Sequence, residues 1–220
     1  MPMRVNVCID DHRFKRRPVR RSQRFSAEKL SLLKIKLSNL RNKSMSQTSI
    51  STITPINRDE LVRLSEKGKA NPGAVRTLKV KTVLESKFRH LNYIRSLAPH
   101  VIDEPPGLLG DDTAPNPSEA VLAALGSCLS VGIHANAVYR SIRLTKVELE
   151  LEGDINITAV WGTGDTSDDK IVGFSAVRAK IHLEGDAPRA ELDALIRHAD
   201  RWSPVANTLR LPVNVSVEPA

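Results

Sequence analysis

Cys128 is the residue of this chain best suited to covalent chemistry, because a thiolate is a strong nucleophile. It lies in the stretch NPSEAVLAALGSCLSVGI, residues 116–133, which carries no acidic or basic side chain after Glu119. The other cysteine is Cys8, so the sequence does not support a disulfide framework. A single cysteine inside an apolar run predicts a buried thiol site in a reducing compartment; the alternative is a small, inert core residue.

Three residues indicate where the helix that carries this cysteine begins. Asn116 can cap the helix, Pro117 suits its first turn, and Glu119 can return a hydrogen bond to the cap. Glu119 and Cys128 are about 180° apart around a helix, so the carboxylate points away from the thiol. Cys128 also lies about three turns inside the helix, where the helix dipole has little effect. A reactive thiolate therefore requires a cation from elsewhere.

The histidines give no support to a second catalytic group or a metal site. His134 follows Cys128 by six residues, about 240° around the helix, so it cannot easily act as a base toward that thiol within one chain. Four further histidines also lack the spacing of metal ligands. They are His90, His100, His182 and His198. We therefore predict no metal and no cofactor.

The net positive charge of the chain comes from its first 44 residues. Residues 1–44 hold 13 Lys and Arg against 3 Asp and Glu, whereas residues 45–220 hold 20 against 22. Three interpretations of this basic extension stay open. It is a disordered arm or a helix that binds a membrane surface or nucleic acid, or it is a targeting peptide. In the third interpretation, translation starts at Met45 and the first 44 residues are a wrongly assigned start. For residues 45–220 we expect no nucleic-acid partner, and no apolar run of membrane-spanning length.

Hydrophobic periodicity predicts an α+β domain over residues 75–220, after a lead-in at residues 45–74 with a short helix. The clearest strand alternates apolar residues with glutamates in VELELEGDINI, residues 147–157. Strands are expected at residues 75–85, 88–96, 100–104, 144–157, 171–183 and 211–217, and helices at 58–67, 117–140 and 188–198. This order favours antiparallel sheets around a central apolar helix rather than a βαβ repeat.

Two segments resemble the OsmC/Ohr family, whose members include thiol-dependent peroxidases of organic hydroperoxides. They are PPGLLGDDTAPNPSEAVLAALGSCLS, residues 105–130, and RWSPVANTL, residues 201–209. The most specific feature is the Asn-Pro helix start twelve residues ahead of a cysteine. The resemblance covers residues 75–218 and implies an interlocked homodimer, with paired central helices between sheets to which both chains contribute. Such a dimer explains a helix that is apolar almost all round.

The resemblance assigns the peroxidatic role to Cys128, but the chain departs from the family at two positions. Peroxidatic members carry a resolving cysteine where this chain has Ser203, and a glutamate where it has Ser118. A serine cannot form a disulfide, so a sulfenic acid on Cys128 requires an external thiol. The family also supplies an arginine to the thiolate from the early strands. The candidates are Arg89 and Arg95, and the distance to the helix start favours Arg89.

Two functions follow from these observations. The first is a cytoplasmic, one-cysteine peroxidase that reduces organic hydroperoxides with an external thiol, an antioxidant role in the oxidative stress response. The second is a non-catalytic dimer of the same fold that binds a small hydrophobic molecule at its interface. The two serines favour the second function, and the retained Cys128 favours the first.

Overall fold

The computed structural model describes residues 53–219, and the predictions for the basic extension lie outside these residues. The helices are α1 (Arg58–Ala70), α2 (Pro117–Tyr139), α3 (Arg189–Trp202) and α4 (Pro204–Arg210). The strands are β1 (Lys81–Ser86), β2 (Arg89–Tyr93), β3 (His100–Ile102), β4 (Leu144–Ile155) and β5 (Phe174–Gly185). The predicted α+β class, with antiparallel strands before and after a long central helix, is confirmed.

The strands form two separate antiparallel sheets. One has the order β1-β2-β3, and the other consists of β4 and β5, paired from Leu144 with Gly185 to Ile155 with Phe174. In β4 the glutamates are exposed, whereas Leu149 and Leu151 are partly buried. The predicted half-buried strand is therefore present, because its apolar face packs against α2 while its acidic face meets solvent.

Helix α2 packs against the β4-β5 sheet and the two C-terminal helices. Towards its C-terminal end, Ile133 and Ala137 join a core cluster with Leu183 and Leu195. Towards its middle, Leu125 and Leu129 join a second cluster with Ala206 of α4. The opposite face is open, and Val131 is 69% exposed. Within residues 53–219 of one chain, α2 is thus covered on one side only.

The length of α2 corrects one expectation from the sequence. Among the described residues, α2 is the one helix that is long and apolar enough to cross a membrane by length and composition. Six of its residues are buried in the core of this chain, and core helices pass the same test. Packing within this chain therefore accounts for the apolar character of one side of α2.

One strand prediction was wrong, one was right only in its second half, and one helix was not predicted. The strand predicted over residues 75–85 is formed from Lys81 onward as β1, whereas residues 75–80 and 211–217 form no strand because no strand within residues 53–219 pairs with them. In the second segment the apolar side chains are exposed: Leu211, Val213 and Val215. Helix α4 begins after Ser203 as its cap and Pro204 in its first turn, a start signal that the sequence does contain.

Gly132 allows α2 and α3 to approach closely. A Cβ at this position would lie 3.2 Å from Cβ and 3.4 Å from Cα of Ala199. Helix backbones this close leave no room for a branched side chain. By contrast, nothing lies within 4 Å of the corresponding position at Gly68 in α1.

We expect Gly132→Leu to lower the free energy of unfolding by about 2–3 kcal/mol, because the new side chain overpacks the contact between α2 and α3. The matched change Gly68→Leu should be neutral or stabilising, since leucine is a better helix former than glycine. Urea denaturation of both variants measures the difference. Equal stability of the two would contradict the close packing.

Candidate thiol site

Cys128 lies on α2 with its side chain partly exposed. The predicted capping box at the start of this helix is confirmed. Asn116 Oδ1 accepts a hydrogen bond from the Glu119 backbone N–H at 2.8 Å, and Glu119 Oε2 accepts one from the Asn116 N–H at 2.8 Å. Glu119 is therefore held at the cap, about 14 Å along the helix axis from the cysteine.

Ser203 is the polar residue that contacts the thiol. Its Oγ donates a hydrogen bond to Cys128 Sγ at 3.1 Å, across 75 residues of sequence. The same Oγ accepts a hydrogen bond from the Ala206 backbone N–H at 3.1 Å, as the N-cap of α4. Ser203 is only 3% exposed. The hydroxyl is thus fixed by the helix start and directed at the sulfur, where it can stabilise negative charge.

A cavity of about 660 Å³ is lined by residues that adjoin this pair, although neither Cys128 nor Ser203 lines it. Its wall includes Leu125 and Leu129, which flank the cysteine on α2, and Ala206, which binds the serine hydroxyl. At its edge, Arg210 Nη2 pairs with Asp200 Oδ1 at 2.5 Å. The apolar part of the wall has room for an organic group next to the residues that surround the sulfur.

Arg89 lies on β2 and is held by contacts within the first sheet. Its Nε donates to Glu85 Oε2 at 2.7 Å, and its Nη1 donates to Thr113 Oγ1 at 2.7 Å. Within residues 53–219 of one chain, these contacts do not bring Arg89 to Cys128. The other candidate, Arg95, is exposed in the turn after β2, with a φ of 53°.

His134 and Ser118 lie away from the thiol. His134 lines a different cavity, of about 500 Å³, together with Arg58 and Ile142, and its Nδ1 has no hydrogen-bond partner among the described residues. Ser118 lines a third cavity near the start of α2. The structure therefore brings Cys128 together with Ser203, but not with the other residues that the sequence suggested.

The loop between β3 and α2 is organised by Asp103, a buried carboxylate that sequence analysis did not single out. Its Oδ2 accepts from Thr113 Oγ1 at 2.7 Å and from the Thr113 N–H at 3.1 Å. Its Oδ1 accepts from the Glu104 N–H at 2.8 Å. The hydrogen bond from the Thr113 side chain is the main cause of a pKa below the usual range for Asp103. Thr113 also binds Arg89, so this network joins the loop to β2.

Antiparallel pairing brings Glu148, Glu150 and His182 together on the exposed face of β4 and β5. Their side-chain ligand atoms lie within 4.8 Å of one another. His182 Nε2 contacts Glu150 Oε1 at 2.9 Å, and Glu148 pairs with Lys146 at 3.0 Å. The cluster depends on strand register, in which Glu148 faces His182, so residue spacing along the chain could not indicate it. Its groups pair with one another as a surface charge ladder.

We expect Asp103→Asn to destabilise the protein at neutral pH, since the amide cannot accept the three hydrogen bonds as well as the carboxylate does. The folded-state pKa of Asp103 is lowered, so its contribution is present above the unfolded pKa and is lost as the pH falls through the folded one. Urea midpoints at about pH 7 and about pH 3 should show a difference that shrinks in acid. Asp169→Asn, at an exposed position, is the control. A gap of equal size at both pH values would exclude this role.

Comparisons with known proteins agree with this architecture. Residues 110–218 match the family model described as OsmC-like protein. The OsmC-like protein from Mycoplasma pneumoniae is similar in fold, with a TM-score of 0.52 and 17% identity over 62% of this chain and 89% of that chain.

An organic hydroperoxide resistance protein from Legionella pneumophila gives a TM-score of 0.46 and 21% identity, over 62% of this chain and 91% of that chain. No curated protein sequence matches this chain. The family match includes α2 and its cysteine. Through residues 110–218, the chain belongs to the OsmC-like protein family.

Proposed function

We propose that this protein is a one-cysteine thiol peroxidase that reduces organic hydroperoxides through Cys128 in the cytoplasm. The observation that carries the proposal is the hydrogen bond of 3.1 Å from Ser203 Oγ to Cys128 Sγ. The resemblance to peroxidatic OsmC/Ohr proteins assigns a resolving cysteine to position 203. The residue found there contacts the sulfur, as a resolving residue must, but supplies a hydroxyl.

The first chemical step needs a partly exposed sulfur and a donor that stabilises it as an anion. The thiolate of Cys128 attacks the distal oxygen of the hydroperoxide, the O–O bond breaks, and the alkoxide leaves as an alcohol after taking a proton. The cysteine becomes a sulfenic acid. The Ser203 hydroxyl donates a hydrogen bond to the sulfur, and the Ala206 N–H strengthens this bond by polarising the hydroxyl.

Recycling of the sulfenic acid requires a thiol from outside the chain. One external thiol condenses with the sulfenic acid to give a mixed disulfide and water, and a second thiol releases Cys128 and forms the external disulfide. Ser203 cannot take part in this exchange, because an alcohol does not attack the sulfur in place of a thiol. No cofactor enters the cycle.

The cavity of about 660 Å³ is the proposed place for the organic part of the substrate. It is walled by Leu125 and Leu129, the neighbours of Cys128 on the buried side of α2. These apolar side chains favour an alkyl or aryl hydroperoxide over hydrogen peroxide, while the rest of the wall includes polar residues such as Thr208 and Arg210. The proposed preference thus follows from the side chains that surround the sulfur.

We further propose that two chains interlock as a homodimer. The support is the open apolar face of α2 together with two incomplete sheets and the exposed alternating segment at residues 211–217. A second copy can cover α2 and offer strand partners to such segments. In such a dimer, Arg89 of one chain can pair with the Cys128 thiolate of the other chain. Arg89 therefore stays the candidate cation.

The peroxidase proposal is tested in a Cys8→Ser background, which leaves Cys128 as the remaining cysteine. With cumene hydroperoxide, we expect mass spectrometry to trap a sulfenic acid on Cys128, and peroxide consumption to continue while dithiothreitol is present. Cys128→Ser should abolish both. Ser203→Ala should slow the oxidation roughly tenfold, the effect of one charge-assisted hydrogen bond, whereas Ser167→Ala in the exposed loop between β4 and β5 should not.

Ser203→Cys adds an independent measurement. Because the side-chain atom at position 203 already lies 3.1 Å from Cys128 Sγ, oxidation should give an internal disulfide that a dithiol reduces. The Ser203→Ala variant also loses a helix cap worth about 1 kcal/mol, so its folding is checked by circular dichroism. If Cys128 stays a free thiol while hydroperoxide persists, the protein is not a peroxidase and the non-catalytic, ligand-binding alternative is preferred.

The dimer proposal predicts a change of mass in solution. Val131→Glu, on the open face of α2, should convert a dimer to a monomer, because a carboxylate buried between two helices lacks a partner. Leu64→Glu on α1 is the control, since Leu64 is 66% exposed and Val131 is 69% exposed. Analytical ultracentrifugation at micromolar concentration measures the mass of the wild type and of both variants. A monomeric wild type, or a dimeric Val131→Glu variant, would overturn the proposal.

A further inference from the structure

A cavity of about 480 Å³ lies between the loop that leads into α2 and the loop that joins β4 to β5. Its walls are mainly apolar and include Leu108, Ile155, Ile157, Val160, Trp161 and Val172. This volume is typical of a site for a small organic molecule. Ser118, which also lines the cavity, is about 15 Å along α2 from Cys128, so the thiol chemistry does not use this space.

Glu104 lines this cavity as a buried carboxyl group whose burial is not fully offset by hydrogen bonds within residues 53–219. It is 8% exposed, and its Oε2 has no hydrogen-bond partner within residues 53–219. Burial is the main cause of a raised pKa for this carboxyl, followed by the charges of Glu119 and Asp103. Burial of an unpaired carboxylate costs stability, and a positively charged ligand would offset that cost.

Among the groups that act on the Glu104 carboxyl, the charges of Glu119 and Asp103 raise its pKa and His90 lowers it. Asp103 and Glu119 are both occupied by hydrogen bonds to the backbone. Lys170 lines the cavity, but its ammonium group binds Asp165 and Thr158. The free charge available to a ligand is therefore that of Glu104.

Trp161 supplies an aromatic wall. It is 58% exposed, and its ring centroid lies 5.0 Å from that of Phe88. The backbone of Val160 and Trp161 has φ angles of 42° and 54°, which are rare for such side chains. A tryptophan face is the best aromatic surface for a cation, which gains further from a carboxylate nearby.

We propose that this cavity binds a small apolar organic cation, with its charged group paired with Glu104 and its apolar part against Trp161. The proposal does not depend on the chemistry of Cys128. It assigns the site to amines or quaternary ammonium compounds of the size of a substituted benzene ring. A bound cation would also explain why the chain keeps the unpaired carboxyl group of Glu104 beside an apolar cavity.

Phenyltrimethylammonium is the probe, and tert-butylbenzene is its neutral counterpart of the same shape. Isothermal titration calorimetry on the full chain should show the cation bound at least about tenfold more tightly than the neutral molecule. Glu104→Gln should remove that difference. Glu152→Gln, which changes an exposed glutamate on β4, should keep it.

Trp161→Leu should weaken binding of the cation by about three- to fivefold, whereas Trp202→Leu should not change it. Trp202 is a suitable control because it is 65% exposed. Glu104→Gln removes the cost of a buried charge at neutral pH, so loss of binding in that variant does not arise from unfolding. Equal binding of cation and neutral molecule, full affinity in Glu104→Gln, or no binding at millimolar concentration would each overturn the proposal.

Discussion

The absence of charge along α2 is the constraint on which the other features of the domain depend. After Glu119 the helix offers water no ionised side chain until Arg140, so most of its surface gains from being covered. The β4-β5 sheet and α3 cover one side, and Gly132 lets α3 approach to van der Waals distance. The remaining side, with Val131, is where we place a second chain. The requirement to bury this helix thus connects the core of one chain to the proposed assembly and to the cysteine between them.

The contact between Ser203 and Cys128 results from the way the chain turns between α3 and α4. Ser203 ends one helix and caps the next, so its hydroxyl has a fixed acceptor role toward Ala206 and a fixed donor direction toward the sulfur. A residue in this place can donate a hydrogen bond, or resolve a sulfenic acid, according to its side chain alone. In the proposed cycle, oxygen in place of sulfur at this position means that an external thiol must resolve Cys128.

Two adjacent carboxyl groups show how strongly environment decides the behaviour of a residue type. Asp103 accepts three hydrogen bonds and has a lowered pKa. Glu104 has a raised pKa, and one of its oxygens has no hydrogen-bond partner among residues 53–219. The first carboxylate stabilises the loop that leads into α2. The second is a cost to folding that the proposed cation would offset.

The sequence by itself determined the features that depend on neighbours along the chain. The capping box at Asn116, the length of α2 and the two faces of β4 were predictable, because helix caps and side-chain periodicity act within a few residues. Alternation at residues 211–217 was misleading, since it specifies two faces but supplies no strand partner. The tertiary structure alone decided the contact of Ser203 with Cys128, across 75 residues, and the isolation of Glu104. Both depend on which surfaces meet when the chain folds, and spacing along the sequence carries no record of that.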